Sequence, residues 1–404
     1  MEKVLEGVRV LEVAQWWFVP SAGAVLADWG ADVIKVEHPV TGDPQRGLIT
    51  SGLVPEGGFN FMWEQPNRGK RSIGIDIATP GGRELLYKLA EKSDVFLTSF
   101  LPAARRRLGI DVEHIRARNP KIIYARGSGQ GTRGPDAEKG GYDGASFWSR
   151  GAMAEAFSYA MKTQVPVSQR PAFGDGIGGM TIAGGISAAL FKRERSGEPS
   201  VVDISLLATA CWVLSPDITA APFIPRFPTG GDRRQMPNPL VGQYKTKDGR
   251  WLMIIMLQPD RYWADFCRHI DREHLIEDPR FKDAKVRFEN RAACVDLLDE
   301  AFASRTLDEW REKLDTMEGV WAPMQTPREI HDDRQVIANG YLPEVTGHDG
   351  KQFRLAANPV QFQENALALG AAPEHGQHTE EILLDLLGLS WDEISEHKQA
   401  KAIV

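Results

Sequence analysis

The chain has 404 residues, 42% of them hydrophobic and 25% charged, enough for a large core spread over about two domains. A formal net charge of −7 argues against a nucleic-acid-binding surface while leaving room for a local basic pocket. Three scattered cysteines, Cys211, Cys267 and Cys294, fit no disulfide or metal-ligand spacing and suit a reducing, cytoplasmic setting.

The first residues are acidic and run straight into a strand, unlike a signal peptide, and no apolar run is long enough to span a bilayer. Residues 8–14 (VRVLEVA) form an apolar run suited to a buried parallel strand. Pro20 and Gly30 bracket a helix, and residues 31–37 (ADVIKVE) make a second strand. The alternation continues with strands at 71–77, 94–100 and 121–129. Between them lie a helix opened by Thr79-Pro80 and a short one over PAARRRLG. Such alternation predicts a parallel sheet covered on both faces, with its ligand outside the carboxyl ends of the strands.

Helices near 144–161 and 177–193 follow, then a strand leading into a further helix from residue 201. Residues 215–240 are rich in proline and glycine and read as a linker. A hairpin around Lys247-Asp248-Gly249 and amphipathic helices near 259–270, 290–303 and 307–317 suggest a smaller α+β domain. The reading is a large domain over 1–214, a linker, a small domain over 241–330, and a segment over 331–404 returning to the large one.

Several motifs fail in useful ways. The opening βαβ unit has Gln15-Trp16-Trp17-Phe18 where a glycine-rich phosphate loop would stand, which argues against nicotinamide or flavin binding. Gly127-Ser128-Gly129 has the wrong register for a nucleophile elbow, and no Walker loop is present. His375 and His378 lack a third metal ligand nearby; His378 reads better as a helix cap. Arg105, Arg106 and Arg107 suit either a solvated helix face or a phosphate site at the sheet edge.

The stretch Arg170-Pro-Ala-Phe-Gly-Asp175-Gly-Ile-Gly-Gly-Met180 sets one carboxylate among glycines ahead of an apolar helix. Two readings stay open on these residues alone. Asp175 is either the N-cap of that helix, or a nucleophile whose acylated form is stabilised by the free N–H groups there.

With these residues in view, the chain resembles the class III CoA-transferases, the family of formyl-CoA transferase and the carnitine and bile-acid CoA-transferases. The resemblance rests on LEGVRVLEVAQWWFVPSAGAVLADWGADVIKVEHPVTGDPQRG, NRGKRSIGIDIATPGGRELL, GGYDGASFWSRGAM, RPAFGDGIGGMTIAGGISAALFKRERSG, VWAPMQTPREIHDDRQVIANGYL and GQHTEEILLDLLGL, in that order. It implies an α/β protein with a Rossmann-like large domain, a smaller domain, and two ring-like subunits interlocked as a homodimer. It implies Asp175 as the catalytic nucleophile, with coenzyme A as the acyl carrier and no metal.

By position in the motifs, the resemblance places CoA against Trp17, Phe18, His38, Asp76, Ser99, Phe100, Arg107, Lys139 and Tyr142. Arg107 and Lys139 are the natural phosphate partners. Formyl-CoA transferase has glutamine and alanine in place of Trp17 and Phe18, and asparagine in place of Ser99. Its glycine-rich loop is shortened here to Thr229-Gly230-Gly231. Gln15, Trp16, Trp148 and Gly176 would form the substrate pocket, and Trp16, Trp17, Phe18, Trp148 and Met153 suit a bulky or aromatic acyl group. The related α-methylacyl-CoA racemases use a histidine in a Gly-His-Asp run; here the run is Gly141-Tyr142-Asp143, and tyrosine is a poor base at neutral pH. A non-catalytic acyl-CoA-binding protein is the remaining alternative.

Overall fold

The computed structural model describes residues 3–224 and 232–403. It divides into two compact units: Met1–Phe157, Val165–Phe223 and Arg334–Val404 in one, Ser158–Gln164 and Ile224–Asp333 in the other. The expected shortened loop at Thr229-Gly230-Gly231 lies outside the described residues.

The first unit is built on a six-stranded sheet with all pairs parallel, in the order β3-β2-β1-β4-β5-β6. Its strands are β1 (Arg9–Val13), β2 (Asp32–Glu37), β3 (Arg71–Gly74), β4 (Val95–Thr98), β5 (Ile123–Ser128) and β6 (Val201–Ser205). Alternate residues of β1 serve opposite faces, as the period of two demands. Val10 joins one apolar layer while Leu11 and Val13 join the other. Helices α1 (Phe18–Asp28) and α2 (Phe61–Asn67) come next, then α3 (Pro80–Glu91), α4 (Pro102–Leu108) and α5 (Val112–Arg118).

Local chemistry explains most boundaries. Thr79 caps α3 as expected, its hydroxyl accepting the Gly82 N–H at 3.0 Å. Helix α1 starts at Phe18, two residues before Pro20, so the proline sits inside the first turn, where its missing N–H has no intrahelical partner to lose. The sequence reading left out α2 and α5, short segments whose apolar residues are too few to show a helical period.

The expected helix over 144–161 is interrupted. A π-helical turn (Asp143–Ser149) leads through Ala152, at φ 66°, into α6 (Met153–Ala160). Helix α7 (Phe173–Ser196) begins four residues before the expected Ile177 and is followed, after β6, by α8 (Leu206–Val213). Residues expected to be linker include α9 (Ser215–Ala220).

The second unit carries an antiparallel sheet of β7 (Val241–Lys245), β8 (Trp251–Ile255) and β9 (Trp321–Pro323). The first two strands form the hairpin expected around Gly249, whose φ of 78° suits a residue without Cβ. Helices α10 (Pro259–His269), α11 (Ala284–Glu289), α12 (Arg291–Phe302) and α13 (Leu307–Lys313) belong to the same unit. Arg233 and Arg234 are engaged there with Asp299 and Asp296, at 2.7 and 3.0 Å.

Candidate active site

In the six-stranded sheet the strand order reverses between β1 and β4, and two cavities open at the carboxyl ends on either side of that point. The larger, about 330 Å³, lies beyond β1, β4 and β5 and holds Asp175. The smaller, about 230 Å³, lies beyond β1, β2 and β3. Gln15 and Phe100 line both.

Asp175 is the third residue of α7, not its cap. The N-cap position belongs to Ala172, held at φ 55° and ψ 25° with no side-chain cap bond. The capping role passes to a residue distant in sequence. Both oxygens of Asp143 accept the Gly174 N–H at 3.1 Å, and the same carboxylate accepts the Asp175 N–H. The Gly176 N–H goes to the Ala172 carbonyl at 3.0 Å. The Gly174, Asp175 and Gly176 N–H groups, among the donors expected to stabilise an acylated Asp175, are therefore already engaged.

Burial, followed by the negative charge of Asp143, pushes the Asp175 carboxyl up to about 8. Burial also raises the Asp143 carboxyl, opposed by the hydrogen bonds it accepts. Close approach explains the neighbouring glycines. A Cβ on Gly178 would stand 2.4 Å from the Phe18 ring, and one on Gly179 would stand 1.8 Å from Ser21 Oγ. These glycines let α1 lie directly against α7, which brings Phe18 and Asp175 into one cavity.

The loop after β1 forms another wall. Trp16 sits at φ 70°, a strained value for an aromatic residue, and its N–H donates to Asp43 at 3.1 Å. Asp43 pairs with the fully buried Lys35 at 2.9 Å. Lys35 reaches Glu12 at 3.1 Å, and Glu12 pairs with Lys70 at 2.7 Å. Burial pushes the Lys70 ammonium down; for Lys35 burial acts the same way but is overcome by Asp43 and Glu12, so that group is held up. Gln15 is tied by its N–H to Ser99 Oγ at 3.0 Å. The Trp16 ring meets Tyr142 edge-on, with centroids 5.7 Å apart.

The structure thus gathers Gln15, Trp16, Phe18, Ser99, Phe100, Tyr142 and Asp175 around one cavity. His38 and Asp76 line the smaller one, with His38 Nε2 4.0 Å from Asp76 and its Nδ1 accepting the N–H groups of Val40 and Thr41. Trp17, Trp148 and Gly176 line neither. Trp148 is buried instead, donating its indole N–H to Val167 at 2.9 Å, and Met153 is core.

Of the three consecutive arginines, Arg105 is buried against Asp111 and Arg106 pairs with Glu138. Arg107 is exposed and has no ion pair among the described residues. Lys139 is exposed and 2.7 Å from Asp136. His378 holds the N-cap position of the short helix Thr379–Glu381, but its side chain does not cap; its Nδ1 accepts the Ser72 N–H at 3.1 Å. No group of side chains suited to a metal ion exists among the described residues.

Sequence reading missed Glu12, Lys35, Asp43, Lys70 and Asp143 as parts of this site. A signal was present: Glu12 and Lys35 stand within apolar strands buried on both faces, where a charge persists only with a partner.

A parallel α/β sheet whose reversal point holds a half-buried carboxylate, and no phosphate loop, fits an α/β enzyme without the dinucleotide fingerprint. Comparison with known proteins agrees: residues 5–379 match the model of CoA-transferase family III. The chain belongs to that family and is an enzyme of the class III CoA-transferase type. It is 32% identical over 403 residues to the (R)-2-hydroxy-4-methylpentanoate CoA-transferase of Clostridioides difficile, covering 99% of each chain. It is 30% identical to the cinnamoyl-CoA:phenyllactate CoA-transferase of Clostridium sporogenes, covering 99% of this chain and 97% of that one. A solved CAIB/BAIF family protein from Brucella suis superimposes with a TM-score of 0.80 at 27% identity, over 96% of this chain and all of that one.

Proposed function

We propose that the protein moves coenzyme A between carboxylic acids through covalent intermediates on Asp175. The observation that carries this reading is a carboxylate in the cavity at the sheet's reversal point, raised to about 8 and framed by backbone. A carboxylate of high pKa is a better nucleophile than an ordinary one, though a smaller share of it is ionised at neutral pH.

The ionised Asp175 attacks the thioester carbonyl, breaking the C–S bond and giving an aspartyl anhydride and CoA thiolate. The thiolate then attacks the aspartyl carbonyl of the anhydride, releasing the first acid and leaving an aspartyl-CoA thioester. The incoming carboxylate attacks the aspartyl carbonyl of that thioester, expelling CoA thiolate and forming a second anhydride; the thiolate then attacks the new acyl carbonyl, giving the product thioester and freeing the Asp175 carboxylate. Thioester energy is conserved in the covalent states, so the scheme needs no nucleotide.

His38 and Asp76 in the smaller cavity, and Ser99 and Phe100 near the junction, are suited to the CoA moiety, with Phe18 and Tyr142 at its reactive end; Trp17, which lines neither cavity, is not included. Arg107, which has no ion pair among the described residues, and Lys139 are suited to its phosphates. Gln15 and Trp16, which line the cavity that holds Asp175, are proposed for the acyl side; Trp148 and Gly176, which line neither cavity, are not. Trp16, Phe18, Leu101 and Leu206 make that side apolar, which favours a bulky or aromatic acid over oxalate or formate. Two relatives whose names carry branched or aromatic acids support the same choice.

The interlocked homodimer stays part of the proposal, supported by exposed Phe191, Trp212 and Phe223 in the first unit. A cytoplasmic setting is proposed with it. Incubation with cinnamoyl-CoA and then hydroxylamine should yield a hydroxamate at Asp175, located by mass spectrometry, and Asp175→Ala should abolish CoA exchange. Exchange at wild-type rate in a folded Asp175→Ala protein would refute the mechanism. Oxalate outpacing aryl and branched acids would refute the substrate class.

A further inference from the structure

We propose that Asp143 is a positioning residue for the transfer reaction, clamping the start of α7 and holding a like charge against Asp175 that acylation removes. This rests on the role proposed for Asp175. The geometry is built rather than incidental. Asp143 is buried, 8% exposed, and its two oxygens span the Gly174 N–H at 3.1 Å. A Cβ at position 174 would stand 2.4 Å from Asp143 Oδ1 and 2.3 Å from the Phe147 ring, so only glycine lets the carboxylate seat there.

This clamp does two things at once. A helix N-terminus ordinarily stabilises an anion in its first turn, and Asp143 takes up that stabilisation in place of Asp175. The ionised nucleophile is thereby left with a like charge beside it and few donors. When Asp175 becomes an anhydride or a thioester its charge is gone, and the repulsion goes with it. Asp143 therefore favours the covalent states over the free carboxylate.

Among the described residues, the titratable groups facing Asp175 are Asp143, from the π-helical turn, and Tyr142 ahead of it. Helix α1 presents Phe18 and Ser21, β5 presents Gly127 and Ser128, and α8 presents Leu206; none carries a charge. Tyr142 meets Trp16, so the residue next to the clamp also forms the cavity wall.

The test is Asp143→Asn, which keeps an acceptor for the Gly174 N–H while removing the charge. Labelling of Asp175 by a carbodiimide and an amine, scored by mass spectrometry between about pH 5 and pH 9, reads its titration without requiring activity. The exposed Asp308 serves as the internal reference. The midpoint at Asp175 should fall by about one pH unit or more in Asp143→Asn. The steady-state share of hydroxylamine-trapped enzyme should fall severalfold, with KM for acyl-CoA little changed. An unchanged midpoint overturns the proposal, as does an unchanged trapped share in an active variant. Should Asp143→Asn fail to fold, Asp143→Ser, which also removes the charge and keeps an acceptor oxygen, is measured instead: a midpoint lower by about one pH unit upholds the proposal, and an unchanged one overturns it. Absence of an Asp175 hydroxamate in wild type would sink the transferase mechanism, whereas the carbodiimide labelling midpoints would still report on the clamp.

Discussion

Lys35 Nζ stands 2.9 Å from Asp43 with both side chains essentially out of solvent, and Asp43 in turn holds the N–H of Trp16. The wall of the cavity that holds Asp175 is thus fastened to a charge pair beneath it. Removing Asp43 would take one of the two carboxylates that Lys35 reaches and the acceptor of the Trp16 N–H, at a cost of about 2–4 kcal/mol. Asp43→Ala should therefore lose about that much stability in urea unfolding. Stability within about 1 kcal/mol of wild type would show that Lys35 finds other partners.

The glycines of α7 are not equivalent. Gly179→Ala would drive a Cβ to 1.8 Å from Ser21 Oγ and 3.0 Å from the Phe18 carbonyl, separating α1 from α7. A loss of about 1–3 kcal/mol and a drop in transfer rate are expected. Nothing lies within 4 Å of a Cβ on Gly184, so Gly184→Ala should gain about 0.5–1 kcal/mol from helix propensity alone. Thermal melts of the two variants should move in opposite directions.

Asp175 also sets a pH dependence. In the unfolded chain its carboxyl ionises near the ordinary aspartate value of 3.8, and in the fold only at about 8. Between those values the native state binds the extra proton, so this residue's contribution to stability falls as pH rises through the window. It is lost fully only above the folded value. Asp175→Asn should melt at a higher temperature than wild type at pH 8 and show a smaller difference near pH 4. Equal differences at both ends would mean that the folded carboxyl is not raised.

Arg107 and Arg106 offer a paired comparison on one helix. Arg106 is held by Glu138 at 3.0 Å, whereas Arg107 has no such partner among the described residues. Arg107→Ala should raise KM for acyl-CoA about tenfold, with the loss shrinking at high salt. Arg106→Ala should change it less than about twofold. Equal effects would remove Arg107 from the phosphate site.

Much of this protein was legible in its sequence because the signals are local. Apolar runs such as VRVLEVA give strands, Thr79-Pro80 opens a helix, and the absent glycine loop after β1 turns the reading away from dinucleotides. The glycine-framed Asp175 was visible for the same reason: a carboxylate and its bare neighbours are adjacent in the chain.

Only the tertiary structure decided what surrounds it. Asp143 lies 31 residues upstream of Gly174, and no spacing rule links a π-helical turn to the start of a helix beyond the next loop. Glu12, Lys35, Asp43 and Lys70 meet only once three strands and a loop have folded together. Trp148 is the converse, an aromatic residue that looked fit for a pocket and packs as core. Sequence fixes which groups exist and which element carries each; burial and long-range pairing, which set their charge and orientation, come from the fold.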